Sequence, residues 1–171
     1  MKKLAISIAS FVILLVATSA FVDKRGEAVL GEKAPSLILK NSADSAMSLE
    51  SLEGNWVVLS FWSSADAPSR MVCNRIASYI SHLEPGKTGV VPQVVSVNVD
   101  RSERLMNEII RIDGLDVFDE NLQFHIEDAG VQRALRQAYS MNEGLRTFII
   151  DPKGKLVAAD PTVEDLRRIF G

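Results

Sequence analysis

The stretch that decides the fold is Asn55 to Arg70, NWVVLSFWSSADAPSR. Its first half, Trp56 to Trp62, is a near-continuous apolar run after Gly54-Asn55, the pattern of a strand buried on both faces. Its second half switches to a helical period from about Pro68 to Leu83. Val72, Ile76, Tyr79, Ile80 and Leu83 make one apolar stripe, and Glu84-Pro85-Gly86 supplies a stop.

Outward from this unit, Gln93 to Asp100 (QVVSVNVD) is β-branched and reads as a second, parallel strand. Ser102 to Ile112 reads as an amphipathic helix capped by Ser102. A polar stretch from Asp113 to Asp128 precedes another helix through Val131, Leu135 and Ala138-Tyr139. Thr147 to Ile150 and Leu156 to Ala159 flank Asp151-Pro152-Lys153-Gly154 as an antiparallel hairpin. Thr162 then caps a last helix ending at Phe170, with Glu164 and Asp165 in its first turn. Upstream, Ser36 to Leu39 and Met47 to Leu52 read as short strands forming an entry hairpin. The order implies an α/β domain: a central mixed β-sheet flanked by helices, with an N-terminal β-hairpin extension.

The amino terminus has the order of an export signal. Met1-Lys2-Lys3 is followed by an uncharged run from Leu4 to Val22, with small residues at Thr18-Ser19-Ala20. The run is also long enough to stay in a bilayer as an anchor helix. Residues 1–22 are therefore expected to be a signal peptide or membrane anchor, 23–33 a linker and 34–171 the domain. The lysines favour the cytoplasmic side, which puts the body outside the cytoplasm, periplasmic or facing the exterior.

Composition removes several function classes. The chain has 171 residues, 47% of them apolar and 24% charged, with a net charge of −3 and no basic block, so no nucleic-acid partner is expected. One cysteine, Cys73, excludes a disulfide framework and a thiolate metal cluster, and two histidines exclude a His-rich metal site. No metal and no cofactor are expected. Asp113, Asp116, Asp119, Glu120 and Asp128 lack the spacing of a calcium loop, and His125 reads as a surface or edge residue.

Phe61 to Arg70 (FWSSADAPSR), leaving a buried strand for a helix, resembles the active-site segment of thioredoxin-like proteins. The resemblance is to the exported or anchored TlpA/ResA type, related to the AhpC/TSA redoxins. Gly31 to Pro35 is similar to that group's opening Gly-x-x-Ala-Pro, and Leu49-x-x-Leu52-x-Gly54 to its next signature. Ala138-Tyr139 and Thr147 to Lys155 are similar to its later helix and hairpin. The resemblance implies a thioredoxin-like fold with a degenerate active site. Where active members carry Cys-x-x-Cys at the helix start, this chain has Asp66 and Ser69, and Pro68 lies between them. An aspartate there caps a helix but attacks nothing, and thiol exchange needs both a thiolate and a thiol leaving group. The cis-proline that clamps substrate in active members is matched by Leu145-Arg146, and a buried carboxylate before Phe61 by Ser60.

Cys73 follows Ser69 by four residues, one turn deeper on the same helical face. Beside Ile76, Ala77 and Ile80 it reads as a small buried hydrophobe. The competing reading makes it the nucleophile of a single-cysteine peroxidase or mixed-disulfide enzyme. The function expected is thus a module without disulfide exchange that binds another envelope protein or peptide, touching the membrane only through an uncleaved N-terminus. The resemblance places Trp62, Asp66, Arg70, Leu145 and Arg146 around its binding surface, with Arg146 favouring an acidic or carboxylate-bearing ligand. A structural subunit of an envelope complex is the remaining alternative.

Overall fold

The computed structural model describes residues 20–22, 28–40, 46–83 and 90–171. The apolar run Val57–Trp62 becomes strand β4, every residue of it buried. It is preceded by β1 (Ala20–Val22), β2 (Leu37–Lys40) and β3 (Ala46–Ser48). After it come α1 (Ala67–Ser81), β5 (Gln93–Asn98), α2 (Glu103–Asp113), β6 (Gln123–His125) and α3 (Ala129–Ala138). The chain closes with β7 (Thr147–Ile150), β8 (Leu156–Ala159) and α4 (Val163–Phe170).

The main sheet has the order β6-β5-β4-β7-β8. β4 lies parallel to β5 and antiparallel to β7, so the strand that launches α1 is central and has neighbours on both edges. That position explains its lack of polar alternation. Its side chains still divide between two cores. Val57, Leu59 and Phe61 pack with α3, β2 and Tyr139 on one face. Val58 and Trp62 pack with Cys73 and Ile76 of α1, Met106 of α2 and Phe170 of α4 on the other. The mixed sheet between two helical layers is the architecture expected from the sequence.

Three local features differ from that expectation. Met47 to Leu52 is not one strand: pairing stops at Ser48, whose side chain accepts the Glu50 N–H and starts a 3-10 turn over Leu49–Leu52. The polar stretch after Asp113 contains β6, a short edge strand parallel to β5 and visible in the sequence only as Phe124 between two polar residues. Residues 28–33, read as linker, are hydrogen-bonded onto the domain. Ala28 N–H donates to Ala138 O at 2.8 Å and Gly31 N–H to Leu156 O at 2.7 Å.

Ala20–Val22, the end of the segment read as signal or anchor, form β1 against β2. The rest of that segment, 1–19, and the helix stop at 84–86 lie outside the described residues. Among the described residues no helix is long and apolar enough to cross a membrane.

Candidate functional site

β4 ends at Trp62 and α1 begins at Ala67, so the four residues between them form a turn at one end of the sheet. Two carboxylates hold this turn. Asp66 is the N-cap of α1: its carboxylate accepts the Ser69 N–H at 2.9 Å, satisfying one of the donors a helix start leaves free. Ser69 is buried; its hydroxyl donates to Asp66 O at 3.0 Å and accepts the Ser63 N–H at 3.3 Å. These two residues therefore close the helix start on itself.

The second carboxylate, Asp100, stands just beyond β5 and is 7% exposed. It accepts the Ser63 hydroxyl at 2.6 Å, the Ser64 N–H at 2.9 Å, the Ser64 hydroxyl, and the Asn98 side-chain amide at 2.8 Å. Burial pushes the Asp100 carboxyl up, but the hydrogen bonds from Ser63, Ser64 and Asn98 outweigh it and hold the group below the usual carboxylate range. His125 Nε2 donates to the Asp100 carbonyl at 2.9 Å, which ties β6 to the same corner. Sequence reasoning missed Asp100, Asn98 and the role of the two serines. The available signal was an aspartate directly after one parallel strand and a serine pair directly after its neighbour.

Arg70, one turn into α1, forms a two-pronged ion pair with Asp113 at 2.7 and 2.8 Å. It also donates to Ser64 O at 3.4 Å. Asp113 ends α2, with Gly114 behind it at φ +65°, a left-handed helix cap that suits glycine. Other acidic residues of that stretch also have local roles: Asp119 caps a 3-10 turn and Asp128 caps α3. Among the described residues no group of three or more His, Cys, Asp or Glu is arranged to hold a metal ion.

The candidate surface residues do not all lie together. Trp62 is fully buried and donates its indole N–H to Ser96 Oγ at 2.8 Å, so it belongs to the core and not to a binding surface. Its place as the last residue of a strand enclosed on both faces dictates this. Arg146 pairs with Asp160 at 2.8 Å and lies over the Phe148 ring, so its charge is already answered within the chain. The Arg146 carbonyl accepts the Phe61 N–H at 3.0 Å, and Leu145 packs partly buried against the α3-side core. Asp66, Arg70 and the Ser63-Ser64 pair remain partly open to solvent at the turn.

Cys73 lies beneath this corner, fully buried. Its sulfur is 3.3 Å from Ser60 Oγ, which in turn meets Thr147 Oγ1 at 2.8 Å. Burial pushes the Cys73 thiol up to about 12, outweighing the Ser60 hydroxyl, which acts in the other direction. At neutral pH it is a thiol, not a thiolate.

A five-stranded mixed sheet whose central strand ends in a turn at the start of a covering helix defines a thioredoxin-like protein. The chain belongs to the AhpC/TSA family, whose model matches residues 30–159. No curated protein matches the chain. Among solved structures, it is similar to a thioredoxin-like protein from Parabacteroides distasonis, at 29% identity and a TM-score of 0.55. That match covers 68% of this chain and 79% of the other. It shares its fold with the thioredoxin domain of a thiol-disulfide oxidoreductase from Bacteroides vulgatus, at 19% identity, a TM-score of 0.65, and coverage of 84% and 96%. A thiol:disulfide interchange protein from a Bacteroides species is similar at 20% identity and a TM-score of 0.64, with coverage of 83% and 88%.

Proposed function

We propose that this chain is an exported thioredoxin-fold protein that does not exchange disulfides and acts as a protein- or peptide-binding module of the cell envelope. One observation carries the proposal: the helix start that resembles a dithiol site holds a capping carboxylate and a buried hydroxyl, while the only sulfur of a cysteine lies fully buried below. Disulfide exchange passes through a thiolate, a mixed disulfide and a second thiol that resolves it. Asp66 and Ser69 supply none of these, and Cys73 is held protonated by burial. The same burial argues against a single-cysteine peroxidase or mixed-disulfide enzyme.

The surface that remains is the turn with Ser63, Ser64, Asp66 and Arg70. Binding there relies on backbone and hydroxyl groups held by Asp100, because Arg70 and Arg146 are already paired. Export rests on the charged, apolar, small-residue order of residues 1–22. Affinity capture from the cell envelope tests the reading, with wild-type protein compared against an Asp66→Lys, Ser64→Trp double variant. The expected result is a partner retained by the first and lost from the second. An identical set retained by both contradicts the reading. Intact-mass analysis of the exported protein shows whether residues 1–22 are cleaved.

A further inference from the structure

The opposite end of the sheet, where β4 begins and β7 ends, carries a cavity of about 210 Å³. β4 is six residues long, which places this cavity about 20 Å from the Ser63–Asp66 turn, so it is separate from the surface discussed above. Its apolar wall is Leu49, Leu52, Val57 and Ile150. Its charged groups are three carboxylates, Glu50, Glu53 and Asp151, against one ammonium, Lys33.

Lys33 is already answered, since its Nζ meets Glu53 at 2.6 Å. The same ammonium also acts at longer range on Glu50 and Asp151, so one positive charge faces three carboxylates and the cavity keeps an excess of negative charge. Burial pushes the Glu50 carboxyl up, but hydrogen bonds from Ser36 and Ser48 outweigh it, so the group stays ionised at neutral pH. Asp151 accepts the backbone N–H groups of Lys153 and Lys155 at 2.9 Å, which fixes its carboxylate without neutralising it. The cavity is smaller than the roughly 300–1,000 Å³ of sites that take whole cofactors or drug-sized molecules. Its size suits one long side chain, and its chemistry asks for an aliphatic stem with a positive head.

We propose that this cavity receives an arginine or lysine side chain from another polypeptide, with the stem against Leu52, Val57 and Ile150 and the head at the carboxylates of Glu50 and Asp151. Titration of the full chain with N-acetyl-arginine-N-methylamide, followed by amide chemical shifts, tests it. Saturable shifts are expected at Ala34, Leu52 and Gly154, with none at residues 63–66. The neutral N-acetyl-norleucine-N-methylamide should leave those amides unmoved. Glu50→Gln should weaken binding by about threefold to fivefold, the size of a partly exposed ion pair. Glu53→Gln should also weaken it, because Lys33 then repels an incoming cation. Equal shifts with the norleucine compound overturn the proposal, as does arginine binding that neither substitution changes.

Discussion

Replacing Asp100 by alanine removes the acceptor that holds the turn between β4 and α1. Four donors on three residues lose their partner in different settings. The Asn98 side-chain amide is fully buried and cannot turn to water, so its loss carries the cost of an unsatisfied buried donor, about 1–3 kcal/mol. The two Ser63 and Ser64 hydroxyls and the Ser64 N–H are partly open to solvent and recover part of their bonding from it, which limits them together to about 1 kcal/mol. The sum is about 3 kcal/mol, a large part of the roughly 5–15 kcal/mol that keeps a domain folded. Urea unfolding at pH 7, followed by tryptophan fluorescence, should show this loss as a lower midpoint at unchanged slope. Its pH dependence has a definite sign. The folded Asp100 carboxyl lies below its unfolded value, so the charge-dependent part of its contribution is complete well above about pH 4 and is lost as pH falls through the folded value. The gap between wild-type and variant stabilities should therefore narrow in acid. A loss under about 1 kcal/mol at neutral pH, or a difference that persists unchanged in acid, refutes the hub assigned to Asp100.

Three other outcomes follow from the same contacts. The Cys73 thiol, pushed up to about 12 when folded, should make stability fall as pH rises above the unfolded value near 8.5, by at most about 1.4 kcal/mol per pH unit. Alkaline urea titrations of wild type and Cys73→Ala should differ by that slope. Arg70→Met leaves the nearly buried Asp113 carboxylate without its two-pronged partner and should cost about 2 kcal/mol, and Arg70→Lys should recover less than half. A double-mutant cycle with Asp113→Ala measures the coupling. Tyr139→Phe removes the hydroxyl that donates to Pro35 O at 2.7 Å in the core and should cost about 1–2 kcal/mol by thermal or urea unfolding.

The architecture was legible because its strongest signals are local. An enclosed strand such as WVVLSFW announces itself by the lack of polar alternation, and Ser102 and Thr162 mark helix starts by hydroxyls that accept the backbone N–H three residues on. β6 was not legible: an edge strand of three residues owes its conformation to pairing with β5, a long-range contact that leaves almost no pattern in QFH. The site was half legible for the same reason. Asp66 as a helix cap and Cys73 on the inner face of α1 follow from spacing along one helix. Asp100 meets Ser63 and Ser64 across 37 and 36 positions of chain, and Arg146 finds Asp160 only because the β7–β8 hairpin brings them together. The surface role expected for Trp62 failed because the resemblance placed it beside the helix start by position alone, whereas its register in β4 turns the indole into the α1-side core.

The proposal depends on the absence of an exchangeable thiol pair at the start of α1. Reduction of insulin by the purified protein with dithiothreitol as electron donor measures that directly. The rate should equal the dithiothreitol background, both for wild type and for Cys73→Ala. A clear acceleration by wild type that Cys73→Ala abolishes would contradict the account, because the buried sulfur would then be reaching substrate.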